Sequence, residues 1–297
     1  MHPETSPEIA IPTALPRAEP GVHRFVFGGV AFEVSTAPAL RWELSGDHRR
    51  FGAPFDEGPV AASVRVAATS MSALGHTPRE VIYAWADGAA RVRTNGLQVD
   101  VRELAPRSFA ASALVGQQLG DCGSLCTALA GALVDRVGGL VLHASGIELA
   151  GGAVLFVGPS GAGKTTAANH CAGAQAFARD RAAVYPTAAG WFTAPMAGGD
   201  EIELPDSGRR VLPLHAILRV ERAGAVGRID GCDPVGAVRV LRESAQLGAR
   251  DRDGEGALLD RLLAIATQTQ VGIVHTRLGE PLVPTLLPFV RRSPAWT

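Results

Sequence analysis

The chain has 297 residues, enough for one large or two modest domains, and its net charge of −1 gives no electrostatic case for nucleic acid or for an acidic membrane surface. No stretch approaches eighteen uninterrupted apolar residues, so no membrane-spanning helix is predicted. Four cysteines, Cys122, Cys126, Cys171 and Cys232, are too few and too scattered for a disulfide framework, which predicts a reducing, cytoplasmic setting. Cys122 and Cys126 would make half a metal site, but no second Cys/His pair has suitable spacing, and they read as structural thiols.

In chain order, residues 1–21 are rich in proline and acidic residues, lack the basic-then-apolar layout of a signal peptide, and read as a disordered arm. Residues 22–137 read as a small β-rich α+β domain. Residues 24–27 and 30–34 flank Gly28-Gly29, and residues 60–66 alternate in the manner of a half-buried strand. Residues 81–85, 89–93 and 97–101 are separated by Asp87-Gly88 and Asn95-Gly96, pairs that supply the positive φ of tight hairpin turns, so a meander is predicted. A helix is predicted from near Ser108, a residue type suited to an N-cap, continuing with breaks through residues 125–137 and ended by Gly138-Gly139.

Residues 138–297 read as a second domain. Residues 140–149, then Ala150-Gly151-Gly152, then the apolar run 153–157 predict a hairpin. It leads into Gly158-Pro159-Ser160-Gly161-Ala162-Gly163-Lys164-Thr165, which fits G-x-x-x-x-G-K-[ST] at every fixed position, with Thr166 next in an opening helix. Of the 28 basic residues 27 are arginine, and Lys164 is the only lysine. The exception marks a place that requires a compact ammonium on a flexible stem. Strand, glycine loop and helix in that order predict a phosphate-binding loop. Backbone N–H groups fold around phosphate oxygens, Lys164 reaches the outer phosphates and Thr165 offers its hydroxyl to Mg2+. Gly158, Pro159, Ser160, Gly161, Ala162, Gly163, Lys164, Thr165 and Thr166 are therefore the candidate ATP-binding set. Feeding such a loop from an antiparallel partner, in mid-chain, argues against ordinary small-molecule kinases, GTPases and transport ATPases.

These motifs resemble the C-terminal kinase domain of the HPr kinase/phosphorylases, whose P-loop fold is related to phosphoenolpyruvate carboxykinase. His143 precedes Lys164 by 21 residues, the spacing of the family histidine and loop lysine, and the internal Ser160-Gly161 of the loop also matches. Ala178-Arg179-Asp180-Arg181 falls where the family has an acidic pair, with Asp180 aligned to the second, catalytic aspartate and Arg179 in place of the first. The likeness extends more weakly through residues 213–222, a proline, an apolar strand and a Glu-Arg ending. The resemblance implies a mixed-sheet α/β domain and an ATP- and Mg2+-dependent kinase acting on a hydroxyl, a Ser or Thr of a protein or peptide acceptor. It also allows a homo-oligomer. It gives Asp180 the part of base, and it gives His143, otherwise a core residue between apolar neighbours, a place beside the phosphates. No Glu-x-Arg-Gly signature is found, and Glu201-Ile202-Glu203-Leu204 lacks the arginine, so no phosphorylase activity is expected. A carboxykinase-like metal site would need a second lysine. With Arg179 in place of an acid, a nucleotide-binding regulatory module without phosphoryl transfer is the alternative.

Ser145 lacks the flanking glycines of a nucleophile elbow. His170 reads as solvated and His215 as a residue on a strand edge. Residues 191–196 with 198–201 read as a connecting loop, with a lid or acceptor-binding loop as the alternative. Arg209, Arg210 and Arg222 are further candidates for phosphate contact. Residues 235–247 and 256–266 have helical periodicity and residues 271–276 read as a final strand.

Overall fold

The structure is a computed structural model, and it describes residues 21–36, 60–69, 74, 81–94, 96–116, 122–196, 211–222, 228–246, 252–277 and 279–291. Residues 1–20 of the proposed arm, Asn95, the segment 197–210 with Glu201, Glu203, Arg209 and Arg210, and the Cys122 side chain lie outside that set.

β1 (Gly21–Phe27) and β2 (Val30–Thr36) form an antiparallel hairpin around Gly28-Gly29, and β3 (Val60–Thr69) runs parallel to β2. β4 (Trp85–Ala86), β5 (Ala89–Thr94), β6 (Leu97–Ala105) and β7 (Ser108–Gly116) follow as the meander, and the seven strands take the order β1-β2-β3-β7-β6-β5-β4. The helix expected from Ser108 is thus a strand up to Gly116. Its three alanines and leucine favour helix in isolation. However, Phe109, Ala111, Ala113 and Val115 are buried at period two, and β7 pairs with both β6 and β3. Two ladders and a buried face outweigh the small propensity difference.

Helix α1 (Cys122–Arg136) lies against the inner face of this sheet and ends where predicted, the Gly139 N–H closing on the Val134 carbonyl at 2.8 Å. Leu125, Leu129 and Leu133 pack with Phe27, Val64, Val99 and Phe109, and the Trp85 indole donates to the Ala132 carbonyl at 3.2 Å. The same core continues into Val141, Ala183, Tyr185 and Ala194, so it runs across the 137/138 boundary without a break.

The remaining strands are β8 (Leu140–Leu149), β9 (Gly152–Val157), β10 (Gln175–Ala178), β11 (Arg181–Thr187), β12 (Gly190–Met196), β13 (Leu212–Arg222), β14 (Arg228–Gly231), β15 (Ala245–Gln246) and β16 (Gln270–Thr276). Helices α2 (Lys164–Asn169), α3 (Pro234–Ser244), α4 (Arg252–Gln268) and α5 (Val283–Val290) accompany them. β9, β13 and β16 are parallel neighbours, flanked by antiparallel β8 and β14. The fold is therefore mixed α/β, with parallel and antiparallel pairs in both sheets. Every residue of β9 is buried, as in a strand covered on both faces. On one face Ala144, Leu155 and Ile217 meet Val240 and Leu241 of α3 and Leu258 and Leu262 of α4. On the other, Ile147, Val154, Phe156 and Leu218 meet Ala167 of α2 and Leu286 and Val290 of α5.

β13 carries a second correction. His215 is 4% exposed in the middle of the strand rather than on an edge. It occupies the space above Gly152, where a β-carbon would fall 2.2 Å from its Nε2. Residues 191–196 form β12 rather than a loop. No helix among the described residues is long and apolar enough to cross a membrane.

Candidate functional site

The phosphate-loop motif sits at the carboxyl end of β9, among parallel strands, where open α/β sheets form their ligand crevices. Gly158, Gly161 and Gly163 have φ of 137°, 77° and 97°, a left-handed run that side chains resist, and a β-carbon on Gly158 would also press on Ala162. Pro159, Ser160 and Gly161 form the exposed rim, while Ala162 and Gly163 are half-buried. Lys164 points inward: it is 7% exposed, and its Nζ donates to the carbonyls of Gly158 at 2.9 Å and Pro159 at 3.1 Å. Burial lowers the Lys164 pKa, opposed by the charge of Asp180. Thr165 and Thr166, exposed, open α2.

β8 and the β10–β11 segment bring the other candidates to the same end. β10 pairs with the distal half of β8 and β11 with its proximal half, Ala178 opposite Gly146 and Arg181 opposite His143, so the two-residue turn of Arg179 and Asp180 lies along Ala144 and Ser145. The Ala144 N–H donates to the Asp180 carbonyl at 3.0 Å. The Asp180 carboxylate lies 3.3 Å from His143 Nε2 and 3.5 Å from Arg181 Nε. Burial lowers the His143 pKa, helped by the nearby cations of Lys164 and Arg181 and opposed by Asp180. The ring is accordingly neutral at pH 7. Lys164, His143 and Asp180 thus share one electrostatic neighbourhood.

Two residues of this arrangement, Ser145 and Arg181, were not assigned a part from the sequence. Ser145, fully buried, donates to the Arg179 carbonyl at 2.7 Å and lies 3.2 Å from Thr165 Oγ1. Arg181 stands across the ladder from His143. Arg222, a candidate for phosphate contact from the sequence, stands at the carboxyl end of β13 and donates to the Gly161 carbonyl of the loop at 3.2 Å. The period-two spacing of His143 and Ser145 was a usable signal for a shared strand face, whereas the contact with α2 is tertiary. His170 gives its carbonyl to the Leu282 N–H and takes no part. Arg179 contributes its backbone carbonyl.

Among the described residues no group of three or more His, Cys, Asp and Glu is gathered to hold a metal. A hydroxyl beside a phosphate loop suits a cation that keeps waters and shares its ligands with substrate phosphates, as Mg2+ does. Thr165 fits such a part. The single Ser145 proton is committed to the Arg179 carbonyl, so Thr165 donates in the 3.2 Å contact and keeps its lone pairs for a cation. A cavity of about 750 Å³ lies elsewhere, on the outer face of the first sheet between Ser63, Arg65, Arg91, Arg102 and Ser112. It holds neither a glycine loop nor an acid–histidine pair, the features that make the loop end of β9 the candidate site. Compared with models of known protein families and with curated proteins, the chain matches none.

Proposed function

We propose that the chain is an ATP-dependent kinase of HPr kinase-like type, its residues 138–297 forming a P-loop domain related to the phosphoenolpyruvate carboxykinase fold. The acceptor is a hydroxyl, a Ser or Thr of a protein or peptide. The observation that carries this reading is the approach of an acid to a lysine-bearing glycine loop. Asp180, 3.3 Å from His143, is held on the same strand pair whose Ser145 touches Thr165.

Phosphoryl transfer asks the protein mainly for position and charge. The Lys164 ammonium, already desolvated, exchanges its two carbonyl partners for phosphate oxygens and meets their negative charge there. The loop glycines allow backbone N–H groups to close on the same oxygens. Thr165 would hold Mg2+, which would supply neutralisation of charge on the nucleotide phosphates. As the acceptor oxygen bonds to the γ-phosphorus and the bond to the ADP oxygen breaks, the acceptor proton passes to Asp180. Neutral His143, its Nε2 3.3 Å from the carboxylate, packs beside the acid and limits the orientations in which it receives that proton. Arg181 adds positive charge on the other side of the acid.

One observation favours a second reading, a nucleotide-binding regulatory module. Arg179 offers only its carbonyl, already taken by Ser145, so Asp180 is the single acid of the β10–β11 turn. Transfer of labelled γ-phosphate from ATP and Mg2+ into an extract of the source organism, with Asp180→Asn as control, separates the two. Label that depends on Asp180 is expected. Tight ATP binding with no labelled species would favour the regulatory module.

A further inference from the structure

Ser145 is fully buried in β8, between Ala144 and Gly146 and beside Phe156 of β9. A hydroxyl in such surroundings costs free energy unless it is bonded, and an alanine would fill the place with less polar liability. Its hydrogen bonds leave its own strand in two directions. One goes to the carbonyl of Arg179, the residue before the proposed base, at 2.7 Å. The other meets Oγ1 of Thr165, in the first turn after the loop, at 3.2 Å.

A hydroxyl has one proton. The carbonyl can only accept, so the Ser145 proton belongs to it and the Thr165 proton points at Ser145. A threonine hydroxyl ligates a cation through its lone pairs, and a proton free to rotate toward the cation or toward a phosphate competes with that. We infer that Ser145 is a positioning residue: it takes the Thr165 proton, leaving the Thr165 lone pairs to the nucleotide-bound cation, and ties that hydroxyl to the peptide that carries Asp180. The inference rests on the reading of Thr165 as a Mg2+ ligand. It adds a reason for a buried polar residue on β8 that nucleophilic chemistry does not use.

The test separates metal from nucleotide. Affinity of the full-length protein for a fluorescent ADP analogue is measured against Mg2+ concentration and again in EDTA, for wild type and Ser145→Ala. Partners that orient a metal ligand are typically worth 10–100-fold in metal affinity. Ser145→Ala is expected to raise the half-saturating Mg2+ concentration about tenfold or more, while affinity in EDTA stays within about twofold. An equal loss with and without Mg2+ would make Ser145 a packing residue and overturn the inference, as would an unchanged Mg2+ requirement. Should Ser145→Ala not fold, Ser145→Cys carries the same test, since a thiol is near in volume and weak as donor and acceptor. Wild-type nucleotide binding that ignores Mg2+ would instead overturn the reading of Thr165 itself.

Discussion

His143 of β8 and Asp180 of the β10–β11 turn, 37 positions apart in sequence, come together with Nε2 and Oδ1 at 3.3 Å. The contact follows from the register of β8 with β11, which sets Arg181 against His143 and turns the preceding acid toward the loop end of β9. Replacing Asp180 by Asn keeps the shape and removes the proton acceptor. Transfer is expected to fall on the order of 10²–10⁴-fold, with ATP affinity held. Single-turnover transfer alongside equilibrium ATP binding measures both, and turnover retained in Asp180→Asn would remove Asp180 from the part of base.

Lys164→Arg keeps the charge and changes its shape. The ammonium fits between the carbonyls of Gly158 and Pro159 because it is a small donor on an unbranched stem, and a planar guanidinium needs a wider gap. Nucleotide affinity is expected to drop about ten- to a hundredfold, the worth of one or two hydrogen bonds to a charged group. Calorimetric titration with ATP and Mg2+ reads this directly. Wild-type affinity in the variant would mean that the lone lysine answers to no steric demand.

Much of this site was legible because its parts are local. The loop, its feeding strand and the hairpin partner β8 are contiguous in sequence, and each has its own signal: a glycine pattern, an apolar run, a tight turn. The Ser145–Thr165 contact was not legible, because it depends on how α2 folds back over β8. The strand β7 was misread for the opposite reason, since its alanines speak for helix locally and only the ladders with β3 and β6 decide otherwise. His215 shows the same limit: a histidine in an apolar run gives no sign that a glycine on the neighbouring strand has made room for it.

That room gives a packing prediction. A β-carbon at Gly152 would sit 2.2 Å from His215 Nε2 and 2.3 Å from Cδ2, and His215 is buried within β13 with little space to retreat. Gly152→Ala is expected to destabilise the fold by about 1–3 kcal/mol. Adding His215→Ala should cost less in the Gly152→Ala background than in wild type, because the clash has gone. Urea unfolding of the four proteins gives the cycle. Strict additivity would show that the two residues do not compete for the same volume.

The same histidine makes the fold sensitive to acid. Burial lowers the His215 pKa below its ordinary 6.5, and a hydrogen bond with the Ala150 backbone opposes the shift without cancelling it. The unfolded chain therefore binds a proton near pH 6.5 that the folded chain still refuses, and stability rises with pH wherever the unfolded state holds more protons. The full contribution is present above about pH 6.5 and is lost as pH falls from there toward the folded pKa. His143 shifts in the same direction, but its side chain is 36% exposed and solvent screens it, so its share is small. Melting temperatures at about pH 7.5 and about pH 5.5 are expected to fall more in wild type than in His215→Gln, whose amide takes no proton. Equal falls in the two proteins would assign the acid sensitivity to other groups and leave His215 a neutral spacer over Gly152.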